Sequence, residues 1–347
     1  MNIAILGHFG GSKKFFDGQT NKTKEMYEVV AHACTPEDRV YKIDTFYLRK
    51  NPFRFGLSFL CNIIRCKKIV VLLSKNGRRY LFPILSFFQI NFGKQIYHNC
   101  IGGNLCVDIK NNAKMKRYLN SFVINWVESR IIRDELMELG VQNVDYLPNF
   151  KAIQILEETE FLDFHEPFPF VYFGRVVKEK GIEDAIDAIC QVNQNMGKVV
   201  ATMDIYGPIP KEYHTTFEKR LAETNGTCCY RGIVSPKKSV DILKKYYVML
   251  FPTFWVGEGI PGAVVDAYCA GLPVIARRWK YADELISHGK TGYVYNVEYG
   301  DELARQIVLA MRDVHQNINM RRECIKIATT YTEEAVKPII CQKFFST

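Results

Sequence analysis

The sequence predicts an α/β protein made of two doubly wound parallel sheets. Its 347 residues are too many for one ordinary open sheet, so two domains of roughly 150 to 180 residues each are expected. Short apolar runs of strand length alternate with segments of helical composition along the whole chain. A linker is expected over 151–169, which contains two prolines near its end. The predicted domains therefore cover 1–155 and 156–330.

The expected strands follow one another in chain order. In the first domain they are 3–8, 39–44, 67–74, 94–100, 121–127 and 144–148. In the second domain they are 168–173, 199–206, 227–233, 247–252, 272–276 and 292–295. Because helical segments separate the strands, each set is expected to form one parallel sheet.

The segment 251–276 carries two acidic residues near a turn. Leu250–Pro252 ends a buried strand, the sequence GIPG cannot continue it, and the residues that follow have helical composition. Glu258 therefore lies on a strand-to-helix loop, and Asp266 lies close to the start of the helix. The backbone N–H groups of Ile260, Gly262 and Ala263 favour an anion at this helix start. A plain loop with a solvated carboxylate is the alternative interpretation.

The segment 170–189 places two cations at the end of another strand. It is typical of a strand, a loop containing Gly174, Arg175, Lys180 and Gly181, and then a helix. Ligands bind at the carboxyl ends of strands in open parallel sheets, where Arg and Lys suit a diphosphate. Solvated surface cations are the alternative interpretation.

These motifs give the second domain a resemblance to a known family. The matching segments are GRVVKEKG at 174–181, DIYG at 204–207, RGIV at 231–234, PTFWVGEGIPGAVVDA at 252–267, AGLPVIA at 270–276 and GKTGYVY at 289–295. From about Pro169 onward the chain closely resembles the group 1 (family 4) glycosyltransferases, which are retaining enzymes of the GT-B fold. The resemblance implies two Rossmann-like domains facing across a cleft, with a last helix at about 331–347 crossing back to the first domain.

The resemblance also implies a donor and a set of site residues. A sugar is expected to move from a nucleotide diphosphate, expected to be UDP, with retention of its anomeric configuration. Arg175, Lys180 and Glu258 form the expected catalytic set, in which the cations stabilise charge on the β-phosphate and Glu258 holds sugar hydroxyls. Asp266 stands where the family has a second glutamate and is expected to contact the ribose. The expected substrate-binding positions are Gly10, Gly11, Gly174, Gly232, Ile233, Val234, Ile260, Pro261, Gly262, Ala263 and Asp266.

No metal ion and no other cofactor is expected, because two cations and a helix terminus serve the leaving phosphate. The acceptor is expected to be a lipid-linked or oligosaccharide hydroxyl in the biosynthesis of a surface polysaccharide such as capsule or lipopolysaccharide. Two alternatives stay open. An epimerase or hydrolase of the same architecture would use the donor pocket without an acceptor. A non-catalytic partner of another transferase would fit the shorter side chain of Asp266.

The first domain resembles the family more loosely. The pair Gly10–Gly11 precedes the phrase DGQTNKTKEM, which looks like the subgroup that builds bacterial surface polysaccharides. Glycine at such a turn lets the backbone approach a ligand. Many relatives carry an active-site histidine where this chain has Ile101–Gly103. His98 lies a few residues earlier and is left out of the catalytic set, because a lone histidine is more often structural.

Charge is distributed unevenly along the chain. Of its 46 Lys and Arg and its 37 Asp and Glu, residues 1–150 contain 22 and 12. The segment from Thr45 to Val107 contains ten basic residues interspersed with aromatic ones and no acidic residue. Such a surface suits an anionic bilayer, with cations on head groups and apolar side chains in the interface. The expected contact residues are Arg78, Arg79, Tyr80, Phe82, Phe87 and Phe88.

The alternative is that these aromatic residues belong to the core and the cations are merely solvated. No nucleic-acid partner is expected, since no recognised motif accompanies the charge. Eleven scattered cysteines without a CxxC pair indicate neither a disulfide framework nor a zinc site and favour a reducing cytosol. With no signal peptide or membrane-spanning stretch in view, a cytoplasmic protein bound peripherally at the inner face of the cell membrane is expected.

Overall fold

The computed structural model describes residues 1–12, 15 and 17–345. The chain divides into two compact units, Met1–Ala152 with Thr330–Thr347, and Ile153–Thr329. Each unit contains one six-stranded parallel sheet with helices, as the alternation of apolar runs predicts. The expected linker belongs to the second unit for most of its length. Leu156 and Phe164 within it are buried.

The strands of the first unit lie in the order β2-β1-β3-β4-β5-β6. They are β1 (Asn2–Gly7), β2 (Arg39–Asp44), β3 (Lys68–Leu72), β4 (Gln95–Asn99), β5 (Ile124–Val127) and β6 (Val144–Tyr146). Ile3 on β1 pairs with Val40 on one side and with Lys68 on the other. β1 and β3 are almost entirely buried, which explains why their sequences are continuous apolar runs rather than alternating ones.

Helices connect these strands. They are α1 (Gly18–Ala33), α2 (Tyr47–Lys50), α3 (Pro52–Arg65), α4 (Lys75–Phe92), α5 (Leu105–Lys110), α6 (Ala113–Ser121) and α7 (Arg130–Glu138). Their starts follow local chemistry: Asp17 accepts the N–H of Thr20 at 3.0 Å to cap α1, and Asn51 accepts the N–H of Arg54 at 3.0 Å to cap α3. Among the described residues, no helix has both the length and the apolar character needed to cross a bilayer.

Two of the residues expected at a membrane surface are buried instead. The guanidinium of Arg78, which is 2% exposed, donates to the carboxylate of Asp108 at 2.7 Å. Phe82 is fully buried, and its ring lies edge-on to that of His98 at 5.0 Å. The expectation is wrong for both residues, because α4 turns them toward the interior of the unit. The other four expected contact residues are Arg79, Tyr80 and Phe87, which are exposed, and Phe88, which is half-buried.

The strands of the second unit lie in the order β12-β11-β10-β7-β8-β9. They are β7 (Phe168–Phe173), β8 (Ala201–Tyr206), β9 (Cys228–Gly232), β10 (Val248–Phe251), β11 (Val274–Arg277) and β12 (Gly292–Tyr295). The helices are α8 (Ile182–Met196), α9 (His214–Ala222), α10 (Ser239–Leu243), α11 (Gly262–Cys269), α12 (Ala282–Leu285), α13 (Glu302–Arg312) and α14 (Val314–Ala328). Ile182, Ala185, Ile186 and Ile189 of α8 are buried in the core, as their helical spacing predicts.

The last helix, α15 (Glu333–Phe345), belongs to the first unit. Val336, Ile340 and Phe344 recur every four residues and are fully buried in the core of the first unit. The ring of Phe344 lies 4.7 Å from that of Tyr97 on β4. The predicted return of the last helix to the first domain is therefore confirmed.

Candidate active site

The strand order of the second unit reverses between β7 and β10. From β7 the chain adds β8 and β9 on one side and then returns to add β10, β11 and β12 on the other. In open parallel sheets, ligands bind outside the carboxyl ends of the strands at such a reversal. The loops that leave β7 and β10 are 174–181 and 252–261, which carry the predicted site residues.

The loop after β7 is closed by a buried tyrosine. The hydroxyl of Tyr172 donates to the carbonyl oxygens of Arg175 at 2.8 Å and Lys180 at 3.4 Å. Burial raises the pKa of Tyr172 well above its ordinary value, so the phenol keeps its proton and donates. Gly181 ends the loop with φ +73°, and a Cβ there would lie 2.1 Å from the carbonyl oxygen of Pro252. Glycine therefore allows the two loops to touch.

Backbone and side-chain bonds fix the loop after β10. The N–H of Phe254 donates to the carbonyl of Glu179 at 3.0 Å, which ties this loop to the first one. The indole N–H of Trp279 donates to the carbonyl of Gly259 at 3.0 Å. α11 begins at Gly262. The N–H groups of Val264 and Val265 donate to the carbonyl oxygen of Pro261 at 3.1 and 3.5 Å, and those of Gly262 and Ala263 precede them at the start of the helix.

Lys180 and Glu258 are in direct contact. The Nζ of Lys180 forms an ion pair with Oε2 of Glu258, and the hydroxyl of Thr253 donates to the same oxygen at 2.9 Å. The two charged side chains are 15% and 9% exposed, so water screens their attraction only partly. The sequence predicts separate roles for this lysine and this glutamate, whereas the structure holds them together. Sequence reasoning missed Thr253; its position directly after the end of β10 is the signal that was available.

Arg175 lies on the solvent side of the same loops. Its guanidinium is 5.4 Å from the centre of the Trp255 ring, within the range of a cation–π contact. Arg175 is exposed, and Trp255 is 41% exposed. Trp255 was also missed by sequence reasoning, although an exposed aromatic residue in a strand-to-helix loop often contacts ligands. The guanidinium of Arg175 is thus oriented by a ring rather than by a carboxylate.

The other predicted positions of the second unit lie on three neighbouring loops. Asp266 is on the second turn of α11 and is 5% exposed, slightly further into the helix than the sequence suggests. The carbonyl oxygen of Gly232 accepts a hydrogen bond from the N–H of Gly207 at 2.9 Å, which links the ends of β8 and β9. The N–H of Gly174 donates to the carbonyl oxygen of Tyr206 at 3.0 Å. Ile260 and Pro261 are buried, Gly262, Ala263 and Val234 are half-buried, and Ile233 is 51% exposed.

In the first unit, the glycine pair lies on the loop after β1. Gly10 and Gly11 have φ of 91° and 57°, values that suit glycine. The carboxylate of Asp44 accepts the N–H groups of Phe9 at 2.9 Å and Gly11 at 2.7 Å and so shapes this loop. His98 is fully buried, and burial lowers its pKa to about 3. A neutral, buried imidazole agrees with leaving His98 out of the catalytic set.

Comparison with known proteins identifies the segment that carries the site. Residues 167–313 match the family model of the group 1 glycosyl transferases. This segment is a group 1 glycosyltransferase domain. The predicted resemblance is thereby confirmed, and Arg175, Lys180, Glu258 and Asp266 all lie inside the matched segment.

Curated relatives and a solved structure agree with this family. An uncharacterised glycosyltransferase of Methanocaldococcus jannaschii is 22% identical over 290 residues, which is 82% of this chain and 69% of that protein. The amylovoran biosynthesis glycosyltransferase AmsK of Erwinia amylovora is 28% identical over 138 residues, 38% of this chain and 32% of AmsK. The structure of Anabaena HepE with UDP-glucose has a TM-score of 0.71 at 13% identity and full coverage of both chains. The fold is therefore GT-B.

The arrangement in this domain suits a diphosphate with an attached sugar. Arg175 and the start of α11 are directly available to an anion, whereas Lys180 and Glu258 beside them are paired with each other. Within the described residues, no group of three or more His, Cys, Asp or Glu is placed to hold a metal ion.

Proposed function

We propose that this glycosyltransferase moves a sugar from a UDP-sugar to a hydroxyl of a lipid-linked or oligosaccharide acceptor, with retention and without a metal ion. The observation that carries this proposal is the Lys180–Glu258 pair. The pair lies at the reversal of strand order and inside the matched domain, with Lys180 on the loop that leads into α8 and Glu258 on the loop that leads into α11. A cation for the diphosphate and a carboxylate for the sugar are thereby provided side by side.

The proposed reaction breaks the bond between the anomeric carbon and the β-phosphate oxygen, and the electron pair leaves with the phosphate. Arg175, Lys180 and the N–H groups at the start of α11 stabilise the negative charge that grows there. The acceptor oxygen bonds to the anomeric carbon on the same face, and its proton passes to the leaving phosphate. No side chain of this chain is assigned as the base.

The ion pair implies an exchange when the donor binds. Lys180 cannot give its full charge to a phosphate while it neutralises Glu258, so we infer that the diphosphate draws Lys180 away. Glu258 is then free to accept hydroxyl groups of the sugar, while Thr253 continues to hold one of its oxygens. Binding of the diphosphate thus prepares the carboxylate for the sugar.

Two relatives support the choice of donor and pathway. HepE was crystallised in complex with UDP-glucose. AmsK is named for the biosynthesis of amylovoran. We infer a UDP-linked donor and an acceptor in the assembly of a surface polysaccharide.

Turnover with a panel of nucleotide sugars tests the proposal. We expect turnover with a UDP-sugar, and a product whose anomeric configuration, read by NMR, equals that of the donor. Arg175→Ala or Lys180→Ala should lower kcat by about 10²-fold or more. Lys178→Ala is the matched control, because Lys178 lies on the same turn with its side chain 69% exposed. A product with inverted configuration contradicts retention. Consumption of the donor without transfer of the sugar favours an epimerase or hydrolase. Normal turnover in Lys180→Ala contradicts the proposed role of Lys180 in stabilising the phosphate.

We further propose that the first unit binds an anionic membrane through α3 and α4. Successive helical residues are separated by about 100°, so residues spaced by three and four positions share one face. On α3 the buried residues Phe55, Phe59 and Ile63 form one such face, and a second apolar face is exposed. The exposed residues are Phe53, Leu57, Leu60 and Ile64 on α3, and Tyr80, Ile84 and Phe87 on α4.

Topology and charge support this orientation toward a membrane. The connections β2–α3–β3 and β3–α4–β4 run in the same direction across the sheet, so right-handed crossovers place both helices on one face. The exposed cations Arg54 and Arg65 on α3, and Arg79 on α4, are available to lipid head groups. With no acidic residue between Thr45 and Val107, the surface favours anionic lipid.

Co-sedimentation with phosphatidylglycerol vesicles tests the membrane proposal. The double variant Leu57→Asp, Ile84→Asp should weaken binding by about tenfold or more, because it places two charges in the apolar interface. Leu309→Asp is the control, since Leu309 is 44% exposed on α13 of the second unit. Arg79→Glu should weaken binding at low salt and matter less at high salt. If the wild-type protein does not sediment with vesicles at low salt, the acceptor is a soluble sugar.

A further inference from the structure

A cavity of about 640 Å³ lies in the first unit. Its walls come from the loop after β1, from α1, from β2 at the edge of the sheet, and from α2 and α3. Its size falls in the range of small-molecule sites. The proposed donor chemistry uses no residue of this cavity.

Three cations line the cavity. They are Lys24 on α1, Lys42 on β2 and Arg54 on α3. In the part of the chain that the structure describes, none of the three lies within ion-pair distance of a carboxylate. Two carboxylates also line the cavity: that of Asp44 is occupied by the N–H groups of Phe9, Gly11 and Phe46 at 2.7 to 2.9 Å, and that of Glu28 belongs to an exposed residue of α1.

Aromatic rings orient two of these cations. The Nζ of Lys42 lies 4.0 Å from the centre of the Tyr27 ring, and the guanidinium of Arg54 lies 4.1 Å from the centre of the Tyr47 ring. An aromatic ring positions a cation without neutralising its charge or accepting its hydrogen bonds, as a carboxylate would. The N–H donors therefore stay available to an anion. Tyrosine rings and serine hydroxyls in the same wall suit a sugar, which has both apolar faces and hydroxyl groups.

We propose that this cavity binds the phosphate or diphosphate group of a sugar-phosphate acceptor. This inference rests on the proposed transferase function, and it narrows the acceptor to a phosphorylated saccharide. Two observations connect the cavity with transfer. Gly11 lines it and belongs to the predicted ligand loop, and Asp44 holds that loop by its backbone.

Isothermal titration with UDP present in excess tests this site, because UDP keeps the probes out of the donor site. The probes are glucose 1-phosphate, a short-chain prenyl diphosphoglucose below its micellar concentration, and methyl glucoside as the uncharged control. We expect at least one charged probe to bind and methyl glucoside to bind at least tenfold more weakly. Tighter binding of the diphosphate identifies a lipid-linked acceptor, and tighter binding of the monoester identifies a soluble one.

Variants assign the binding to the cavity. The double variant Lys42→Gln, Arg54→Gln should weaken binding of the charged probe at least tenfold, whereas Lys42→Arg should retain that binding. Lys50→Gln is the matched control, because Lys50 is exposed nearby on α2 and does not line the cavity. Absence of binding, or binding that the double variant leaves unchanged, overturns the proposal. Since titration needs no turnover, a chain that binds these probes but transfers no sugar would refute the proposed function and leave this site standing.

Discussion

Under the proposed exchange, the contact between Lys180 and Glu258 couples binding of the diphosphate to binding of the sugar. Both side chains are largely buried, and removing one charge of a buried pair leaves the other uncompensated, at a cost of about 3 kcal/mol or more in the free energy of unfolding. A loss of activity in Lys180→Ala therefore combines two effects. The unfolding free energy of that variant has to be measured beside its kcat.

Replacing Glu258 separates the two effects. Glu258→Gln removes the carboxylate that competes with phosphate for Lys180, so the affinity for free UDP should stay equal or rise. Turnover should fall by about 10²-fold, because the sugar loses a charged acceptor. Calorimetric titration with UDP, together with kcat, measures both quantities.

Asp266→Asn is the companion variant. If Asp266 accepts hydrogen bonds from the ribose hydroxyls, its conversion to an amide should weaken the binding of free UDP by about 1–3 kcal/mol and should change kcat less. Weaker UDP binding in Glu258→Gln would contradict the exchange of Lys180. Equal UDP affinity in wild type and Asp266→Asn would contradict the ribose role.

At the scale of residues, the sequence predicted which residues lie on the two loops but not their contacts. Arg175, Lys180 and Glu258 were proposed because they stand in ordered motifs, and their role in the site stays a prediction. Their pairing was not predicted, because it depends on how two loops, distant in the chain, meet across Gly181 and Pro252. Thr253 was missed for the same reason.

At the scale of elements, α11 is defined by its first residues. It begins at Gly262 after Pro261, whose extended backbone (ψ 126°) ends the loop. Its sequence, GAVVDAYC, is apolar nearly throughout, and Val264 and Val265 are fully buried. The helix is thus anchored in the core while its start stays half-exposed, which suits a backbone anion site.

A proline at the start of α11 tests this anion site without removing a side chain. Gly262→Pro deletes one N–H group at a position where proline fits a helix, since Pro261 already has the extended backbone that a following proline requires. We expect little change in the free energy of unfolding and a fall of about tenfold in UDP affinity. Gly262→Ala, which keeps the N–H group, is the control. Unchanged UDP affinity in Gly262→Pro would place the diphosphate elsewhere.

The strands and helices were predictable because parallel strands buried on both faces are unbroken apolar runs. The face that each helix turns inward was harder to predict. α4 is apolar around much of its circumference, so the sequence did not reveal that Arg78 faces inward, onto Asp108. That partner lies on α5, and no local pattern links the two.

At the scale of the whole molecule, the first unit is built from two separate stretches of the chain. The first unit takes its last core residues from α15, which is made after the entire second unit. Phe344 is fully buried against Tyr97, and its carbonyl oxygen accepts a hydrogen bond from Nζ of Lys68 on β3. The core of the first unit therefore depends on residues that follow the entire second unit in the chain, whereas the second unit is formed by one continuous stretch.

This order predicts that a destabilising substitution in α15 lowers the stability of the first unit. Phe344→Ala removes a fully buried ring and should lower the stability of the first unit by about 3–5 kcal/mol. Hydrogen exchange read by mass spectrometry should show faster exchange in β1, β3 and β4, with β7 and β10 unchanged. Phe345→Ala is the matched control, because Phe345 is the next residue on the same helix and is 37% exposed. UDP affinity should largely persist in Phe344→Ala, since Arg175, Lys180, Glu258 and Asp266 all lie in the second unit. Loss of protection in β7 and β10 would mean that the two units unfold as one.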